Sequence, residues 1–356
     1  MSSVKNVSII IPIFNERKYI RQLLNSLLQQ DYPKVKLEIL LIDGCSVDGT
    51  QEEIRKIVAS DPKFSALDFT FLHNRKRIVP CGLNIGINEA KGEYIIRMDA
   101  HTEYTSNYIL KCTEWLEKTG VENVGGPMRA IGNGYIGKAI ELAHHSKFGL
   151  GGGKFHDDNY SGYVDTVYLG AWPKRVFEEV GLFDERLVRN QDIEFNARIR
   201  KAGGKIFLTP EIKSYYHCRN TLQGLWRQNY ENGKWVVYTK AIVPYCLSWR
   251  HFIPLLFVVS LLLSGVISVI CYLFEFNKLS TFYFLLSTIT ISGSYLFANL
   301  FFSVLLSIKN GLKHFFILPI VFGTLHLSYG LGSAWGLLTL KKWTKENRIS
   351  RVETFH

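Results

Sequence analysis

The sequence of 356 residues has few cysteines and no cysteine motif. Its six cysteines are scattered, with no CxxC pair and no repeated spacing, so neither a zinc site nor a disulfide framework is predicted. We expect reduced thiols in a cytosolic domain and in membrane helices. A signal peptide is not predicted either, because the N-terminal apolar run is too short and is followed by Asn, Glu and Arg.

Charge is nearly absent between about residue 251 and residue 340, although the whole chain is 47% hydrophobic and 21% charged, as in an ordinary globular protein. Disorder, collagen-like repeats and a disulfide-stapled miniprotein are thereby excluded. The contrast predicts a soluble domain over 1–220 followed by a membrane domain over 251–340. The net charge of +11 lies largely near the apolar segments, which favours anionic lipid headgroups over nucleic acid as its partner.

Three apolar segments, 252–274, 282–308 and 315–340, are each long enough to cross about 30 Å of hydrocarbon as a helix. The turn Lys309–Lys313 and the tail 341–356 are both basic, and basic segments favour the cytosol. Three crossings cannot leave both of them in the cytosol. Either one segment is re-entrant or interfacial, or the tail departs from the rule.

The region 221–250 precedes these segments and mixes aromatic with basic residues. This composition is typical of a helix that lies at the level of the lipid headgroups, and an ordinary packed amphipathic helix is the alternative.

The first half of the chain alternates short apolar runs with helical patterns. The predicted strands are Val7–Ile11, Leu37–Ile42, Phe69–Leu72 and Tyr94–Met98. Continuous apolar strands separated by helices predict an α/β fold, a mainly parallel sheet with helices on both faces. Ligands of such sheets bind beyond the carboxyl ends of the strands.

Neither GxGxxG nor GxxxxGK[ST] occurs at these strand ends, which argues against a dinucleotide fingerprint and a P-loop. Carboxylates collect there instead: Glu16 after the first strand, Asp43 and Asp48 after the second, and Asp99 after the fourth. Catalysis is therefore expected at this edge.

Four motifs, SIIIPIFNE, LLIDGCSVDGT, GLNIGINEAKGEYIIRMDAH and RNQDIEFNARIRKAGGK, occur in this order over roughly residues 5–215. In order and spacing the sequence resembles glycosyltransferase family 2, and its DAH and NQD variants are most similar to membrane-bound exopolysaccharide enzymes of the succinoglycan-synthesis type. The resemblance implies a GT-A nucleotide-sugar-binding fold followed by transmembrane helices.

For the nucleotide-sugar donor, the resemblance implies that Asp43 accepts from the base and that Pro12 and Glu16 flank the base-binding turn. Charge in the first turn of a helix is an alternative reading of Glu16. Asp48 could equally be an N-cap of the following helix.

The leaving diphosphate needs charge neutralisation, usually by a divalent cation held by carboxylates. The resemblance implies that Asp99 meets the ribose or the metal and that the third position of Asp99-Ala100-His101 is a metal ligand. His101 stands where the family usually has Asp. Imidazole ligates Mn²⁺, whereas Mg²⁺ prefers oxygen, so the substitution favours Mn²⁺ over Mg²⁺.

The attacking acceptor hydroxyl must lose a proton, which requires a base beside it. By resemblance Asp192, which stands just before a predicted helix over 193–202, is that base in an inverting displacement, and a helix N-cap is its alternative role. Gln191 takes the first position of the family's Glu-Asp pair. Residues Gly170, Ala171 and Trp172 resemble the acceptor-side loop.

Four residues of the region before the apolar segments resemble loosely the Gln-x-x-Arg-Trp element of processive synthases. They are candidate contacts to a diphosphate or a lipid phosphate: Arg227, Gln228, Lys234 and Trp235.

The resemblance thus predicts a membrane-anchored, inverting, metal-dependent hexosyltransferase with its catalytic domain on the cytoplasmic side. Its donor would be a nucleotide sugar, a UDP-sugar before others, and its acceptor a polyprenyl-linked molecule in polysaccharide or glycan assembly. A polyprenyl-phosphate sugar synthase is the second reading and a processive polysaccharide synthase the third. The alternative outside the enzymes is a catalytically silent membrane scaffold with the same fold.

Overall fold

The computed structural model describes residues 4–150, 153–274 and 278–353. The chain forms two compact units, Met1–Ala130 with Gly153–His217, and Ile131–Gly152 with Cys218–His356. This division differs from the predicted domain 1–220, because the segment 131–152 groups with the C-terminal residues. Within that second unit the Tyr135 hydroxyl donates to the carbonyl of Lys313 at 2.6 Å, and the Phe148 ring stacks on Phe302.

An eight-stranded sheet in the order β3-β2-β1-β4-β9-β6-β10-β8 forms the centre of the first unit, and a small sheet has the order β5-β11-β7. The strands are β1 (Val7–Ile13), β2 (Leu37–Asp43), β3 (Asp68–His73), β4 (Tyr94–Arg97), β5 (Thr102–Tyr104), β6 (Asn123–Gly126), β7 (Arg129–Ile131), β8 (Gly162–Tyr163), β9 (Tyr168–Pro173), β10 (Ile206–Leu208) and β11 (Ser214–His217).

The first four strands of the large sheet are parallel, as the sequence predicts; Ile9 of β1, for example, lies beside Ile39 of β2 and Ile96 of β4. Strand β9 is antiparallel to both of its neighbours, β4 and β6. The sheet is therefore mixed, and its parallel half supplies the edge at which ligands are expected.

Helices cover both faces of this sheet. Those of the first unit are α1 (Arg17–Leu28), α2 (Thr50–Ser60), α3 (Val79–Glu89), α4 (Tyr108–Thr119), α6 (Arg175–Val180) and α7 (Gln191–Lys201). Side chains of a strand alternate between faces, so Ile9 and Ile11 join one core with Leu23 of α1, while Ile10 joins a second core with Leu83 of α3.

The second unit is helical in the residues described. Its helices are α5 (Gly134–His145), α8 (Leu222–Ile242), α9 (Ile253–Leu273), α10 (Lys278–Asn310) and α11 (Leu318–Glu353).

Two helices in the described part of the chain are long and apolar enough to cross a membrane, Trp249–Leu273 and Lys278–Asn310. Most of their apolar side chains are exposed, unlike those of a soluble core helix. They correspond to the first two predicted segments. The third, 315–340, does not meet the same criterion, because the Gly, Ser, Tyr and His residues of α11 lower its mean hydropathy. Two of the three predicted spans thus have a candidate helix among the described residues, and the third stays a prediction.

Helices α8 and α11 pack closely through small residues. A Cβ on Gly233 would lie 2.0 Å from the carbonyl oxygen of Tyr329, and one on Gly332 would lie 2.0 Å from that of Tyr230. The Ser333 hydroxyl donates to the Gly233 carbonyl at 3.1 Å. The region predicted as interfacial therefore has one packed face, and a position at the headgroups stays a prediction for its other face.

Candidate active site

The loops that follow β1 and β2 are tied together. The backbone N–H of Asn15 donates to the Ser46 hydroxyl at 2.9 Å, and Asn15 Oδ1 accepts from the N–H of Val47 at 2.9 Å. Asn15 has a φ of 57°, a left-handed conformation that Asn adopts more readily than most residues. The two loops thus form one surface beyond the parallel strands.

Asp43 ends β2 and its carboxylate is held at this surface. It accepts from the Ser46 hydroxyl at 2.6 Å and from Gln51 Nε2 at 2.5 Å. The side chain is buried, and half-buried Pro12 lies across the strand pair beside Ile42. The carboxylate also accepts from the backbone N–H of Ser46 at 3.1 Å, so the N–H groups of a nucleobase would share or replace one of these three donors.

Asp48 holds the second loop. Its carboxylate accepts from the N–H of Thr50 at 3.0 Å and from the N–H of Arg17 at 3.1 Å. The N-cap of α2 is Gly49, with a φ of 85°. Asp48 is therefore a loop-fixing residue that precedes the cap.

A buried arginine joins two of the predicted site carboxylates. Arg97, the last residue of β4, donates through Nε to Asp99 Oδ1 at 2.8 Å and through one terminal nitrogen to Asp99 Oδ2 at 3.1 Å. Its other terminal nitrogen donates to Asp192 Oδ1 at 2.6 Å. The exposed fractions of the three side chains are 7% for Arg97, 13% for Asp99 and 29% for Asp192.

The two carboxyl groups respond differently to this shared partner. Burial raises the pKa of Asp99, but attraction and hydrogen bonds from Arg97 outweigh it and hold the pKa below its ordinary value. Burial also raises the pKa of Asp192, and there Arg97 offsets only part of the rise, to which the negative charge of Asp99 adds. Asp99 is therefore a stable anion, whereas Asp192 is the more basic group.

Asp192 lies in the first turn of α7, which begins at Gln191, and the N-cap is Asn190 with a φ of 62°. The predicted helix start at Ile193 and the N-cap alternative for Asp192 were wrong. Because Asn190 makes the turn into the helix, the Asp192 side chain is directed to Arg97 rather than to backbone N–H groups. Gln191 is buried.

His101 lies beside Glu16, with 3.0 Å between His101 Nδ1 and Glu16 Oε1. A carboxylate only accepts, so the ring proton belongs on Nδ1. Tyr19 and Tyr216 pack against the imidazole edge to face. Glu16 precedes α1 and makes no side-chain cap hydrogen bond, so His101 is its observed side-chain contact.

A group of three His, Cys, Asp or Glu side chains that could hold a metal ion does not occur among the described residues. Asp99 and His101 offer one carboxylate and one imidazole. A carboxylate and an imidazole suit Mn²⁺ better than Mg²⁺, and a cation bound to them would take its other ligands from a diphosphate and water.

The segment predicted as an acceptor-side loop is part of a strand. Gly170, Ala171 and Trp172 lie in β9, and Ala171 pairs with Ile96 of β4. Trp172 is buried against aromatic rings that include Phe177 and Phe195. The loop prediction was wrong because a Gly-containing hexapeptide gives a weak strand signal.

The four residues predicted to contact a lipid phosphate or diphosphate all lie on α8, in the second unit. Arg227 is exposed and Gln228 half-buried. Lys234 pairs with Glu231 at 2.7 Å, and Trp235 is buried against Tyr238 and Trp343.

The site also contains Arg97, Ser46 and Gln51, which the motifs do not indicate. Arg97 had a usable signal, because a charged residue that ends an otherwise apolar, buried strand requires a charged partner. Ser46 and Gln51 had none, since polar residues in a loop and on the first turn of a helix are ordinary.

Comparison with known proteins agrees with this geometry. A family model described as "Glycosyl transferase family 2" matches residues 8–176. The chain is 31% identical over 228 residues to "Succinoglycan biosynthesis protein ExoA" of Rhizobium meliloti (strain 1021), covering 64% of this chain and 67% of that protein. It is 30% identical over 233 residues to a dolichyl N-acetyl-alpha-D-glucosaminyl phosphate 3-beta-D-2,3-diacetamido-2,3-dideoxy-beta-D-glucuronosyltransferase of Methanococcus voltae, covering 64% and 71%.

The solved structure of the mannosyltransferase PcManGT from Pyrobaculum calidifontis, in complex with GDP-Man and Mn²⁺, is similar with a TM-score of 0.57 and 18% identity. The match covers 94% of this chain and 88% of that chain and concerns the fold. The chain belongs to glycosyltransferase family 2. It is a glycosyltransferase with a GT-A fold, as the motifs predict.

Proposed function

We propose that this protein is a membrane-anchored, inverting glycosyltransferase that moves a sugar from a UDP-sugar to a lipid-linked acceptor in polysaccharide or glycan assembly. The observation that carries the proposal is the cluster in which Arg97 brings Asp99 and Asp192 together beyond the parallel strands. One carboxylate kept anionic and one made more basic are what a donor site and an adjacent base require.

The nucleotide would lie over the loops after β1 and β2. Asp43 is held by Ser46 and Gln51 and would accept from the base. Pro12 and Glu16 border the same surface. The choice of a uridine nucleotide rests on the resemblance alone.

A divalent cation, Mn²⁺ or Mg²⁺, would be held by Asp99 and His101 and would neutralise charge on the departing diphosphate. The contact of His101 Nδ1 with Glu16 supports this role, because metal-binding histidines usually donate their other ring N–H to a carboxylate. The similar mannosyltransferase structure is itself a complex with Mn²⁺.

Asp192 would take the proton of the acceptor hydroxyl as its oxygen attacks the anomeric carbon from the face opposite the diphosphate. A single displacement of this kind inverts the anomeric configuration. The raised pKa of Asp192 supports the role, because a more basic carboxylate accepts a proton more readily. Gln191 and Gly170 would border the acceptor, with Ala171 and Trp172 supporting them from within β9.

The apolar helices Trp249–Leu273 and Lys278–Asn310 would anchor the protein and bring it to an acceptor with a lipid tail. Two spans, unlike three, leave the catalytic domain, the basic turn Lys309–Lys313 and the basic residues after 340 on one side of the membrane. The positive-inside tendency makes that side the cytoplasm. Arg227, Gln228, Lys234 and Trp235 would contribute lipid or diphosphate contacts from α8.

The name of the Methanococcus voltae relative specifies a dolichyl-linked sugar as acceptor. This favours a lipid-linked sugar over the lipid phosphate itself, the acceptor of a polyprenyl-phosphate sugar synthase.

The test uses the full chain in detergent with Mn²⁺ and a panel of UDP-, GDP- and dTDP-sugars. Thermal stability is recorded first, then the slow release of nucleoside diphosphate. We expect one donor class to give a metal-dependent stabilisation that Asp99→Ala abolishes. Folded protein that responds to no donor would favour the silent scaffold.

A further inference from the structure

Arg97 has no assigned role in the proposed reaction, yet it is a buried cation that contacts two carboxylates of the site. It ends β4, where its neighbours Ile95 and Ile96 belong to the two cores of the sheet. An unpaired guanidinium at this position would be very costly, so its partners determine its orientation. Burial lowers the pKa of Arg97, but the charges of Asp192 and Asp99 outweigh it and the pKa is raised.

The guanidinium donates hydrogen bonds to two carboxylates that come from different parts of the chain. Its Nε edge forms a two-point contact with Asp99, two residues away, and its remaining terminal nitrogen contacts Asp192, 95 residues away in sequence. A planar guanidinium can serve both partners at fixed angles. The single nitrogen of a lysine carries the same charge but cannot reproduce this geometry.

Asp192 depends on this contact for its position. It lies in the first turn of α7, where no side-chain cap hydrogen bond is made by the N-cap Asn190. Its side chain is the most exposed of the three, at 29%. An aspartate with this freedom has several rotamers available, and the 2.6 Å bond to Arg97 selects one of them.

We propose that Arg97 is a positioning residue that fixes the carboxylate of Asp192 relative to Asp99. The acceptor side and the donor side of the site thereby keep a constant position relative to each other. The inference rests on the proposed function, in which Asp192 is the base. Arg97 itself need not touch either substrate. A displacement of a reacting group by about 1 Å can lower the rate about a hundredfold. Loss of the contact between Arg97 and Asp192 should therefore lower the rate of transfer.

Two substitutions of Arg97 distinguish the effect of its hydrogen-bond geometry on kcat from the effect of its positive charge. Arg97→Lys keeps the charge and should lower kcat by about tenfold or more, with a smaller change in the donor KM. Arg97→Ala opens a space in which guanidinium ion added to the assay should restore part of kcat. Methylammonium, with equal charge and no fork, should not.

A double-mutant cycle tests whether Arg97 acts through Asp192. In the Asp192→Asn background, Arg97→Lys should lower the residual rate by less than about threefold, because residues that act as a unit are not additive. Arg198→Lys is the matched control. Arg198 is also a largely buried arginine bound to a carboxylate, Glu194 at 2.5 Å, and it contacts neither site aspartate. Its effect on rate should follow its effect on melting temperature and multiply with that of Asp192→Asn.

The outcomes are distinguishable. A wild-type protein without transfer activity towards any donor would overturn the proposed function and this inference with it. An active wild type whose Arg97→Lys variant keeps its rate, or loses the same factor with and without Asp192, would overturn the inference alone. If Arg97→Ala does not fold, as judged by its melting curve, Arg97→Lys and the cycle decide.

Discussion

At the scale of single residues, two carboxyl groups that share one arginine have different proposed roles: Asp99 stays anionic on the donor side, and Asp192 is the base. The sequence indicates Asp43, Asp99 and Asp192 as candidates, because each stands in a motif at a predictable strand or helix end. It does not indicate that one arginine contacts two of them. Arg97 and Asp192 are 95 residues apart, and their contact at 2.6 Å is a property of the fold.

Replacing the proposed base should affect the chemical step. Asp192→Asn keeps the size of the side chain and removes its ability to accept a proton. We expect kcat to fall by about 10² to 10⁴, with little change in the affinity for nucleoside diphosphate. Steady-state rates and titration calorimetry measure the two. Asp165→Asn, at an exposed carboxyl, is the control and should leave kcat unchanged. An unchanged kcat in Asp192→Asn would refute the assignment of Asp192 as the base.

The raised pKa of Asp192 has a consequence for pH dependence. The base acts as its anion, so activity is lost as pH falls through its pKa, and the rise moves this limb to a higher pH than the ordinary value of about 3.9. Arg97 and Asp99 are the charged groups that act on its pKa, and Arg97 is the one that contacts it. A profile of kcat/KM against pH should show one acidic limb above that value. A profile that stays flat down to that ordinary value would contradict the raised pKa.

At the scale of elements, the sequence predicted the parallel strands well and β9 not at all. The four strands it identified are continuous apolar runs, whereas β9 contains Gly170, with a φ of 129°, and ends in Pro173. The start of α7 was placed late for a similar reason. Asn190 makes the turn with a left-handed backbone that residue type alone does not specify.

The packing of α8 on α11 gives a prediction with an internal control. Alanine at Gly233 would place a Cβ 2.0 Å from a backbone carbonyl, which cannot move as a side chain can. Overpacking of this kind costs about 1–3 kcal/mol, so Gly233→Ala should lower the melting temperature in detergent.

The control is Gly323 of α11, where a Cβ would meet no described atom within 4 Å outside its own helix backbone. Gly323→Ala should leave the melting temperature unchanged or raise it, since alanine favours helix over glycine by up to about 1 kcal/mol. Equal effects of the two substitutions would argue against close packing of α8 on α11.

At the scale of the whole molecule, the split between a charged and an uncharged part was plain from composition, but the number of spans was not. Hydropathy made the segment 315–340 a third candidate. The structure explains its composition differently, since Gly332 and Ser333 of α11 pack against α8.

Membrane anchoring predicts the behaviour of the intact protein during fractionation. It should sediment with membranes and resist both high salt and alkaline carbonate, because the apolar surfaces of α9 and α10 require lipid or detergent. Immunoblots of the washed fractions measure this. Release by salt alone would indicate a peripheral protein held by its basic charge.

Two spans rather than three predict where the C-terminus lies. Green fluorescent protein fused to the C-terminus of the full chain should fluoresce in a bacterial host. Alkaline phosphatase fused at the same position should be inactive, and both results would place the C-terminus in the cytoplasm. The reverse pair of results would restore the third span.

We propose that the reaction at the Arg97–Asp99–Asp192 cluster is a single inverting displacement. The anomeric configuration of the product tests this, determined by NMR after transfer from the α-linked nucleotide sugar that the donor panel identifies. We expect a β-linked product from the wild type and its loss in Asp192→Asn. An α-linked product would contradict the displacement and the role of Asp192 as its base.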